Sequence, residues 1–184
     1  MTQLATFGIV GTGLMGAGIA EVAALAGLPV VLVKATPGDP AAVRTRIAAS
    51  MAARVAKGKL DAAAAEAALA RLTIATDEAA VAGCGLVIEA IVEDLGAKRA
   101  LFARLDALLP PDAIVASNTS TLKITDLGAG LRPRRTLGLH FFSPVPAMSL
   151  VEIAHLVDTD PDALATAEAF VAQLGKTAVP VLDS

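Results

Sequence analysis

Two side chains that could share a proton lie in the C-terminal part of the chain. His140 follows a predicted buried strand and precedes a Ser-Pro turn, and Glu152 lies twelve residues further on, in the next strand-like run. A strand–turn–strand return would bring the two together, and a carboxylate beside an imidazole fixes its tautomer and stabilises the imidazolium. The pair could therefore act as a general base. From spacing alone, a core histidine near an unrelated glutamate is an equally good interpretation.

A glycine-rich segment near the N-terminus, GIVGTGLMGAGIA, has the spacing of a dinucleotide-binding loop. Gly11 would permit a tight turn, Gly13 would let the backbone approach a pyrophosphate, and Gly16 would let a helix pack close to a strand. The helix N-terminus would then offer amide donors to the phosphates. A tight strand–helix turn without a ligand is the alternative interpretation.

These residues need a scaffold, and the hydrophobic pattern supplies one of alternating strands and helices. The predicted strands are 6–11, 30–34, 73–75, 85–90, 113–118, 136–142, 150–156 and 178–182. The predicted helices are about 14–26, 40–57, 61–71 and 94–109, with a last one starting at Asp160-Pro161. This alternation predicts the α/β class with a Rossmann-type, doubly wound, mostly parallel sheet in one domain, residues 1–184. We expect the helical pair at about 41–71 to project from the body.

The bulk composition limits the class of protein. A chain of 184 residues has room for one domain with a real core. Its net charge of −3 and pI of about 5.3 give no overall basic field, so we expect no nucleic-acid partner. The one cysteine, Cys84, excludes an internal disulfide framework, and we predict a buried structural thiol. We predict no metal site.

The mean hydropathy of +0.66 invites a membrane-spanning interpretation of residues 7–33. Against it stand Glu21 near the centre, five glycines between Gly8 and Gly18, and the Gly27-Leu28-Pro29 break. The sequence also shows no basic region or cleavage site typical of a signal peptide. We therefore expect a soluble cytoplasmic protein with no membrane partner.

Four segments together resemble the NAD-binding domain of 3-hydroxyacyl-CoA dehydrogenases. They are GLMGAGIA, IEAIVEDLGAKRALFARL, ASNTSTLKIT and GLHFFSPVPAMSLVEI, and they occur in the family's order across essentially the whole chain. The resemblance implies an NAD-dependent oxidoreductase that transfers a hydride between C3 of a 3-hydroxyacyl-CoA and NAD. It also implies a role in fatty-acid metabolism such as β-oxidation. The implied substrate is an acyl-CoA, for example the short-chain 3-hydroxybutyryl-CoA.

The resemblance also assigns roles to residues. His140 resembles the catalytic base, Glu152 its orienting partner, and Ser120 the serine that hydrogen-bonds the substrate oxygen and the nicotinamide region. The positions that match cofactor-binding ones are Gly11, Gly13, Leu14, Met15, Gly16, Lys34, Ala90, Glu93, Lys98, Ser120 and Ser143. Ser50 and Lys57, with Ser120, match substrate-binding positions. Arg54, Lys57 and Lys59 offer a basic face for CoA phosphates, or only a solvated helix face.

Two substitutions depart from the family pattern. Lys34 stands where an acid that binds the adenosine ribose is usual. An ammonium only donates and would attract a 2′-phosphate, so we predict NAD as cofactor with weakened discrimination against NADP. Ser143 stands where many members have asparagine, and because serine also donates and accepts we expect a modest effect.

The chain ends at VPVLDS, about where the family continues into a helical C-terminal domain. That domain usually supplies dimer contacts, part of the acyl pocket and an active-site asparagine. We expect it to be absent from this chain, the full-length protein to be a homodimer, and this fragment alone to be weak or inactive. The alternatives are a related NAD(P)-dependent hydroxyacid dehydrogenase that does not use CoA, and a non-catalytic nucleotide-binding module.

Overall fold

The strands and helices alternate along the chain as the hydrophobic pattern predicts. The computed structural model describes residues 6–36, 38–128 and 131–183. The strands are β1 (Phe7–Val10), β2 (Val30–Val33), β3 (Leu72–Ala75), β4 (Leu86–Glu89), β5 (Ile114–Ser117), β6 (Thr136–Phe141), β7 (Leu150–His155) and β8 (Thr177–Leu182). The helices are α1 (Leu14–Leu25), α2 (Pro40–Ala56), α3 (Ala62–Ala70), α4 (Leu95–Leu108), α5 (Ile124–Leu127) and α6 (Pro161–Gln173), with 3₁₀ turns at Glu78–Val81 and Pro133–Arg135. Every predicted element is present; α5 and the 3₁₀ turns lack a predicted counterpart.

All eight strands form one sheet in the order β3-β2-β1-β4-β5-β6-β7-β8. Strands β1 to β6 are mutually parallel, β7 is antiparallel to β6, and β8 is parallel to β7. This confirms the predicted doubly wound, mostly parallel Rossmann-type sheet. The strand order reverses between β1 and β4, and ligands of such sheets bind at the carboxyl ends of the strands beside that reversal.

The sheet is covered on both faces, so its central strands are buried and mostly apolar, with Glu89 and Ser117 as buried polar residues at the ends of β4 and β5. Side chains of β1 alternate between the two layers: Phe7 and Ile9 belong to one core cluster and Val10 to the other. The first cluster includes Phe170 of α6, whose ring centroid lies 4.7 Å from that of Phe7. The second includes Phe102 of α4. The two layers fix the sheet that carries the loops described below.

The α2–α3 pair, which we expect to project, keeps one face on the body. Val43, Ile47 and Met51 of α2 are buried in the core cluster that also contains α1. Arg44 on α2 donates to the carbonyl oxygen of Leu69 at 2.8 Å. The opposite faces of both helices are exposed. The pair therefore packs against α1 through one face and extends outward from the body with the other.

Aspartates cap three helices that lead into or support the loops at the sheet edge. The carboxylates of Asp39, Asp61 and Asp94 accept hydrogen bonds from first-turn amides at 2.8, 2.9 and 2.7 Å. Each such cap contributes about 1 kcal/mol. Pro40 occupies the first turn of α2, where its missing N–H costs nothing. The predicted start of α2 at Asp39-Pro40 is confirmed.

Candidate active site

The glycine-rich loop joins β1 to α1 at the point where the strand order reverses. Gly11 has a φ of 116°, and a Cβ there would lie 2.3 Å from the carbonyl oxygen of Ala90, which follows β4. A Cβ at Gly16 would lie 1.9 Å from the carbonyl oxygen of Gly11. Neither position can hold a side chain without moving the backbone. The tight turn and the close helix–strand approach predicted from the glycine spacing are thus confirmed.

Gly13 differs from the other two glycines because its surroundings are open. It is the N-cap of α1, and a Cβ there would meet no described atom within 4 Å. Among the described residues no side chain caps this helix, so its first amides can bind an external acceptor. This amide-lined space fits a pyrophosphate. Leu14 is exposed beside it, whereas Met15 packs partly buried against the core.

Lys34 places an ammonium directly after β2, the strand beside β1. Lys34 Nζ donates to the carbonyl oxygen and the hydroxyl of Thr36, at 2.7 and 3.0 Å. Asp39 accepts from Ala41 N as the cap of α2, so its carboxylate is engaged as predicted. Lys34 and Thr36 line an open depression together with Asp77 and Glu78. The predicted effect of Lys34 on cofactor choice stays a prediction.

His140 and Glu152 face each other across the antiparallel pair β6–β7. They are register partners, and His140 Nδ1 lies 2.9 Å from Glu152 Oε2. The predicted strand–turn–strand return that brings them together is confirmed. On the other side of the ring, Ser120 Oγ lies 3.0 Å from His140 Nε2. A proton on Nδ1 donates to the carboxylate, and the Nε2 lone pair then faces the serine hydroxyl.

The serine–histidine–glutamate line lies at the same sheet edge as the glycine loop. Ser120 belongs to the turn after β5, and His140 is near the end of β6, while the glycine loop follows β1. Because these strands are parallel, their carboxyl ends share one edge. Asn118 ties the turn to this edge, since its Oδ1 accepts from Phe141 N at 2.9 Å. The His140–Glu152 pair and the glycine loop therefore lie at the same end of the sheet.

Glu93 and Lys98, both predicted at the cofactor, lie on a network under the 119–121 turn. Lys98 is only 1% exposed, and its Nζ lies 2.6 Å from Glu89 Oε1 and 3.2 Å from Glu93 Oε2. Its ammonium is therefore enclosed, whereas the side chain of Glu93 is 41% exposed. Ala90 lies between this network and the glycine loop, donating its N–H to Val10 O at 2.8 Å.

Glu93 is held in its charged form. Burial alone would raise the pKa of its carboxyl, but the hydrogen bond from Thr119, the charge and hydrogen bond of Lys98 and the N–H of Ser120 outweigh burial and lower the pKa to about 2. The carboxylate is thus an anion at any pH near neutrality. Its interactions with the turn and with Lys98 do not change across that range.

Ser50 and Lys57 line a cavity of about 690 Å³ between α1, α2 and the 144–147 turn. Arg54 and Lys59, the other members of the predicted basic face, line it too. Ser50 Oγ donates to Glu21 Oε2 at 2.7 Å, and Arg54 Nη1 donates to Glu21 Oε1 at 2.8 Å. Ser50 and Arg54 are therefore fixed at the cavity wall by a buried carboxylate.

Three further residues, Ser143, Cys84 and His155, have simpler surroundings. Ser143 is exposed in the turn that follows β6. Cys84 is 1% exposed, and burial raises the pKa of its thiol to about 11, which confirms a buried structural cysteine. His155 Nδ1 lies 3.1 Å from the carbonyl oxygen of Leu156, at the end of β7. A structural histidine fits that contact.

Sequence reasoning missed four residues at the site. Glu21, Arg46, Glu89 and Asn118 carry contacts that no motif predicts. Arg46 on α2 donates to the carbonyl oxygen of Thr12 inside the glycine loop. A signal existed for two of them, because Glu21 and Glu89 are carboxylates within apolar runs and buried charges require partners.

This geometry belongs to a known class of domains. The family model described as "3-hydroxyacyl-CoA dehydrogenase, NAD binding domain" matches residues 6–184, and the chain belongs to that family. The resemblance inferred from the four segments is confirmed, and NAD is the cofactor that this family of domains binds. The glycine loop and the open amides at Gly13 fit that cofactor.

The most similar relatives include proteins with narrower names. The chain is 43% identical over 179 residues to a 3-hydroxybutyryl-CoA dehydrogenase of Mycobacterium tuberculosis, covering 96% of this chain and 63% of that protein. It is 42% identical to a 3-hydroxyadipyl-CoA dehydrogenase of Escherichia coli, covering 95% of this chain and 35% of that protein. The chain thus spans less than two thirds of the length of these relatives.

Solved structures agree with the sequence comparisons. A crystal structure of 3-hydroxybutyryl-CoA dehydrogenase from Escherichia coli K12 superposes with a TM-score of 0.95 at 38% identity, covering 100% of this chain and 39% of that one. The crystal structure of Mycobacterium tuberculosis FadB2 gives a TM-score of 0.95 at 41% identity, covering 100% and 65%. Within residues 6–36, 38–128 and 131–183, no helix combines the length and apolarity that crossing a bilayer requires.

Proposed function

We propose that this chain is the cofactor-binding and proton-accepting part of an NAD-dependent 3-hydroxyacyl-CoA dehydrogenase. The observation that carries the proposal is the alignment of Ser120, His140 and Glu152 at 3.0 and 2.9 Å, on the same sheet edge as the glycine loop. A general base beside a dinucleotide site is what alcohol oxidation needs, because a proton and a hydride must leave adjacent atoms of the substrate.

The proton follows the hydrogen-bond line. His140 Nε2 takes the proton of the 3-hydroxyl, and Glu152 stabilises the imidazolium through Nδ1. Ser120 donates to the substrate oxygen and keeps it beside Nε2. NAD, when bound, would supply the acceptor for the hydride that leaves C3 of the substrate. The C–H and O–H bonds break, a C=O bond forms, and the two electrons leave with the hydride, giving a 3-oxoacyl-CoA.

The cofactor would extend from the glycine loop along the sheet edge. Gly11, Gly13 and Gly16 shape the space for the pyrophosphate, with Leu14 and Met15 in the first turn behind it. Further along, Ala90, Glu93, Ser120 and Ser143 would border the nicotinamide half, and Lys34 the adenosine half. Lys98 would act from beneath, since its ammonium is enclosed.

The substrate would enter through the cavity beside α2. Its wall carries Arg46, Arg54, Lys57 and Lys59 against one carboxylate, Glu21. A net positive cavity in an acidic protein suits the phosphates of coenzyme A. The names of the relatives support acyl groups of the hydroxybutyryl or hydroxyadipyl kind. We propose a short-chain 3-hydroxyacyl-CoA of the 3-hydroxybutyryl type.

The relatives' greater length supports a further proposal about the whole protein. Because the chain covers 63% of the mycobacterial relative, the full-length protein would carry an additional helical domain that completes the acyl pocket and supplies homodimer contacts. The single buried Cys84 fits a reducing cytoplasm.

Replacing His140 by glutamine tests the proposed base. In the full-length protein, His140→Gln should abolish NADH formation from 3-hydroxybutyryl-CoA while the Kd for NADH stays within about twofold, because the residue acts on the proton and not on the phosphates. Survival of the activity in His140→Gln would rule the base out.

A second substrate class has support among the structural neighbours. A diketoreductase that acts on dicarbonyl compounds gives a TM-score of 0.90 at 30% identity. Lys57→Ala separates the two classes. A KM for the acyl-CoA raised about tenfold supports the CoA assignment, whereas an unchanged KM favours a substrate without CoA.

A further inference from the structure

We propose that Lys98 and Glu93 are positioning residues for Ser120. The enclosed ammonium of Lys98 fixes two carboxylates, and one of them holds the 119–121 turn so that the Ser120 hydroxyl faces Nε2 of His140. The inference rests on the proposed function, in which Ser120 and His140 act on the substrate oxygen. It assigns Lys98 an effect on the reaction that passes through Glu93 and Ser120.

The first step is the enclosure of the cation. Lys98 is 1% exposed and Glu89 is 0% exposed, with Nζ 2.6 Å from Glu89 Oε1. A buried ammonium is stable only with such partners. Glu93 Oε2 completes the set at 3.2 Å. Each carboxylate is therefore anchored to one point at the start of α4.

The second step is the hold on the turn. Glu93 uses its other oxygen, Oε1, to accept from Ser120 N at 3.1 Å, from Thr121 N at 3.3 Å and from Thr121 Oγ1 at 3.1 Å. The hydroxyl of Thr119 donates to the same oxygen. One oxygen of Glu93 thus serves the cation and the other gathers three consecutive residues of the turn.

A second route reaches the same turn from Glu89. Ser117 Oγ donates to Glu89 Oε2 at 2.6 Å and accepts from Thr119 N at 3.2 Å. Glu89 Oε1 also accepts from Ile91 N at 2.6 Å, which fixes that carboxylate to the end of its own strand. Both carboxylates bound by Lys98 therefore converge on the residues that flank Ser120.

The consequence for the reaction is a fixed hydroxyl. Ser120 is exposed, yet its Oγ lies 3.0 Å from His140 Nε2. An error of about 1 Å in placing such a group can cost about a hundredfold in rate. Because the pKa of Glu93 is lowered to about 2, the hold does not titrate near neutral pH.

Imidazole NMR tests the proposal without needing activity. The chain has two histidines, so the Nε2 resonance of His140 can be followed with His155 as internal reference. We expect Lys98→Met, Glu93→Gln and Ser120→Ala each to shift the His140 Nε2 signal. Adding Lys98→Met or Glu93→Gln to Ser120→Ala should change it no further, because the effect passes through the serine.

Two comparisons keep the result interpretable. Glu93 is partly exposed, so Glu93→Gln decides the question if Lys98→Met fails to fold. Arg132→Met removes another partly buried cation, which pairs with Asp106 at 2.6 Å, and should lower stability without moving the His140 signal. A His140 signal that is unmoved by Glu93→Gln or by Ser120→Ala, or shifts that add in the double variant, would overturn the proposal.

Kinetics of the full-length protein give the matching readout. Glu93→Gln should lower kcat for 3-hydroxybutyryl-CoA about tenfold in the parent and by less than about twofold in the Ser120→Ala background. If Ser120→Ala leaves kcat unchanged, the proposed function is wrong about the serine, while the NMR result still decides whether Lys98 and Glu93 position it.

Discussion

Glu21 and Glu89 are both buried glutamates that accept from a serine hydroxyl and from a basic side chain, but they serve different parts of the molecule. Glu21 binds Ser50 and Arg54 at 2.7 and 2.8 Å on the wall of the large cavity. Glu89 binds Ser117 and Lys98 at 2.6 Å each, beneath the 119–121 turn that carries Ser120.

The difference lies in the cation. Arg54 keeps 30% of its side chain exposed, whereas Lys98 keeps 1%. A guanidinium has further N–H donors once one is bound to Glu21, so Arg54 can still bind an anion in the cavity. The Lys98 ammonium is paired with two carboxylates, those of Glu89 and Glu93. The exposed part of Arg54 can therefore contact a ligand in the cavity, whereas the Lys98 side chain is almost fully enclosed.

Replacing each buried glutamate by glutamine should give the largest difference between the two clusters, measured as the loss of free energy of unfolding. Glu89→Gln leaves an enclosed ammonium with poorer partners and should cost about 3–5 kcal/mol of the free energy of unfolding. Glu21→Gln should cost about 1–2 kcal/mol, because Arg54 can be solvated. Urea denaturation measures both. Equal losses in the two variants would contradict the distinction drawn between the cations.

The cavity cluster should instead show itself in substrate binding. Glu21→Gln loosens Ser50 and Arg54, and should raise the KM for 3-hydroxybutyryl-CoA about fivefold to tenfold with kcat nearly unchanged. The matched control is Glu66→Gln, which changes an exposed glutamate on α3 and should leave the KM unchanged. A fall in kcat without a change in KM would place Glu21 with the catalytic group.

A third cation, Lys34, extends the comparison to the cofactor because it lies at the predicted ribose end, at the end of β2. We expect NADPH to bind less than about a hundredfold more weakly than NADH, since an ammonium attracts a 2′-phosphate. Lys34→Asp should weaken NADPH binding by about tenfold more than NADH binding. Cofactor fluorescence measures both affinities. If the parent protein binds NADPH more than about a hundredfold more weakly than NADH, Lys34 does not relax the cofactor selectivity.

The contribution of Glu93 to stability should depend on pH only in the acid range. Because its folded pKa is lowered from 4.5 to about 2, its contribution to stability is complete above pH 4.5 and is lost as pH falls toward 2. The difference in the free energy of unfolding between parent and Glu93→Gln should therefore shrink over that window. Denaturation at several pH values measures it, and a difference that is flat with pH would contradict the assignment.

The sequence could predict the features that depend on short stretches of chain. The glycine loop is one strand–turn–helix unit, and the spacing of its glycines predicts the tight turn and the close helix–strand approach. His140 and Glu152 lie on strands joined by a short connection, so their pairing follows from an antiparallel return. The family resemblance then supplied the role of Ser120, which no local pattern indicates.

The two buried glutamate clusters could not be predicted in the same way. Glu21 and Arg54 are 33 residues apart, on α1 and α2, and Glu89 and Ser117 are 28 apart, as register partners on the neighbouring strands β4 and β5. A carboxylate in an apolar run shows that a partner must exist, because burying it alone is costly. Nothing in the run says which cation it is.

The most direct test of the central claim is hydride transfer itself. The full-length protein would be incubated with NAD and 3-hydroxybutyryl-CoA carrying deuterium at C3, and the products analysed by mass spectrometry and NMR. The account predicts deuterium on the nicotinamide ring and a 3-oxoacyl-CoA product, both lost in His140→Gln. Deuterium that stays on the acyl-CoA, with the cofactor bound and unreduced, would contradict a dehydrogenase and support a nucleotide-binding module without catalysis.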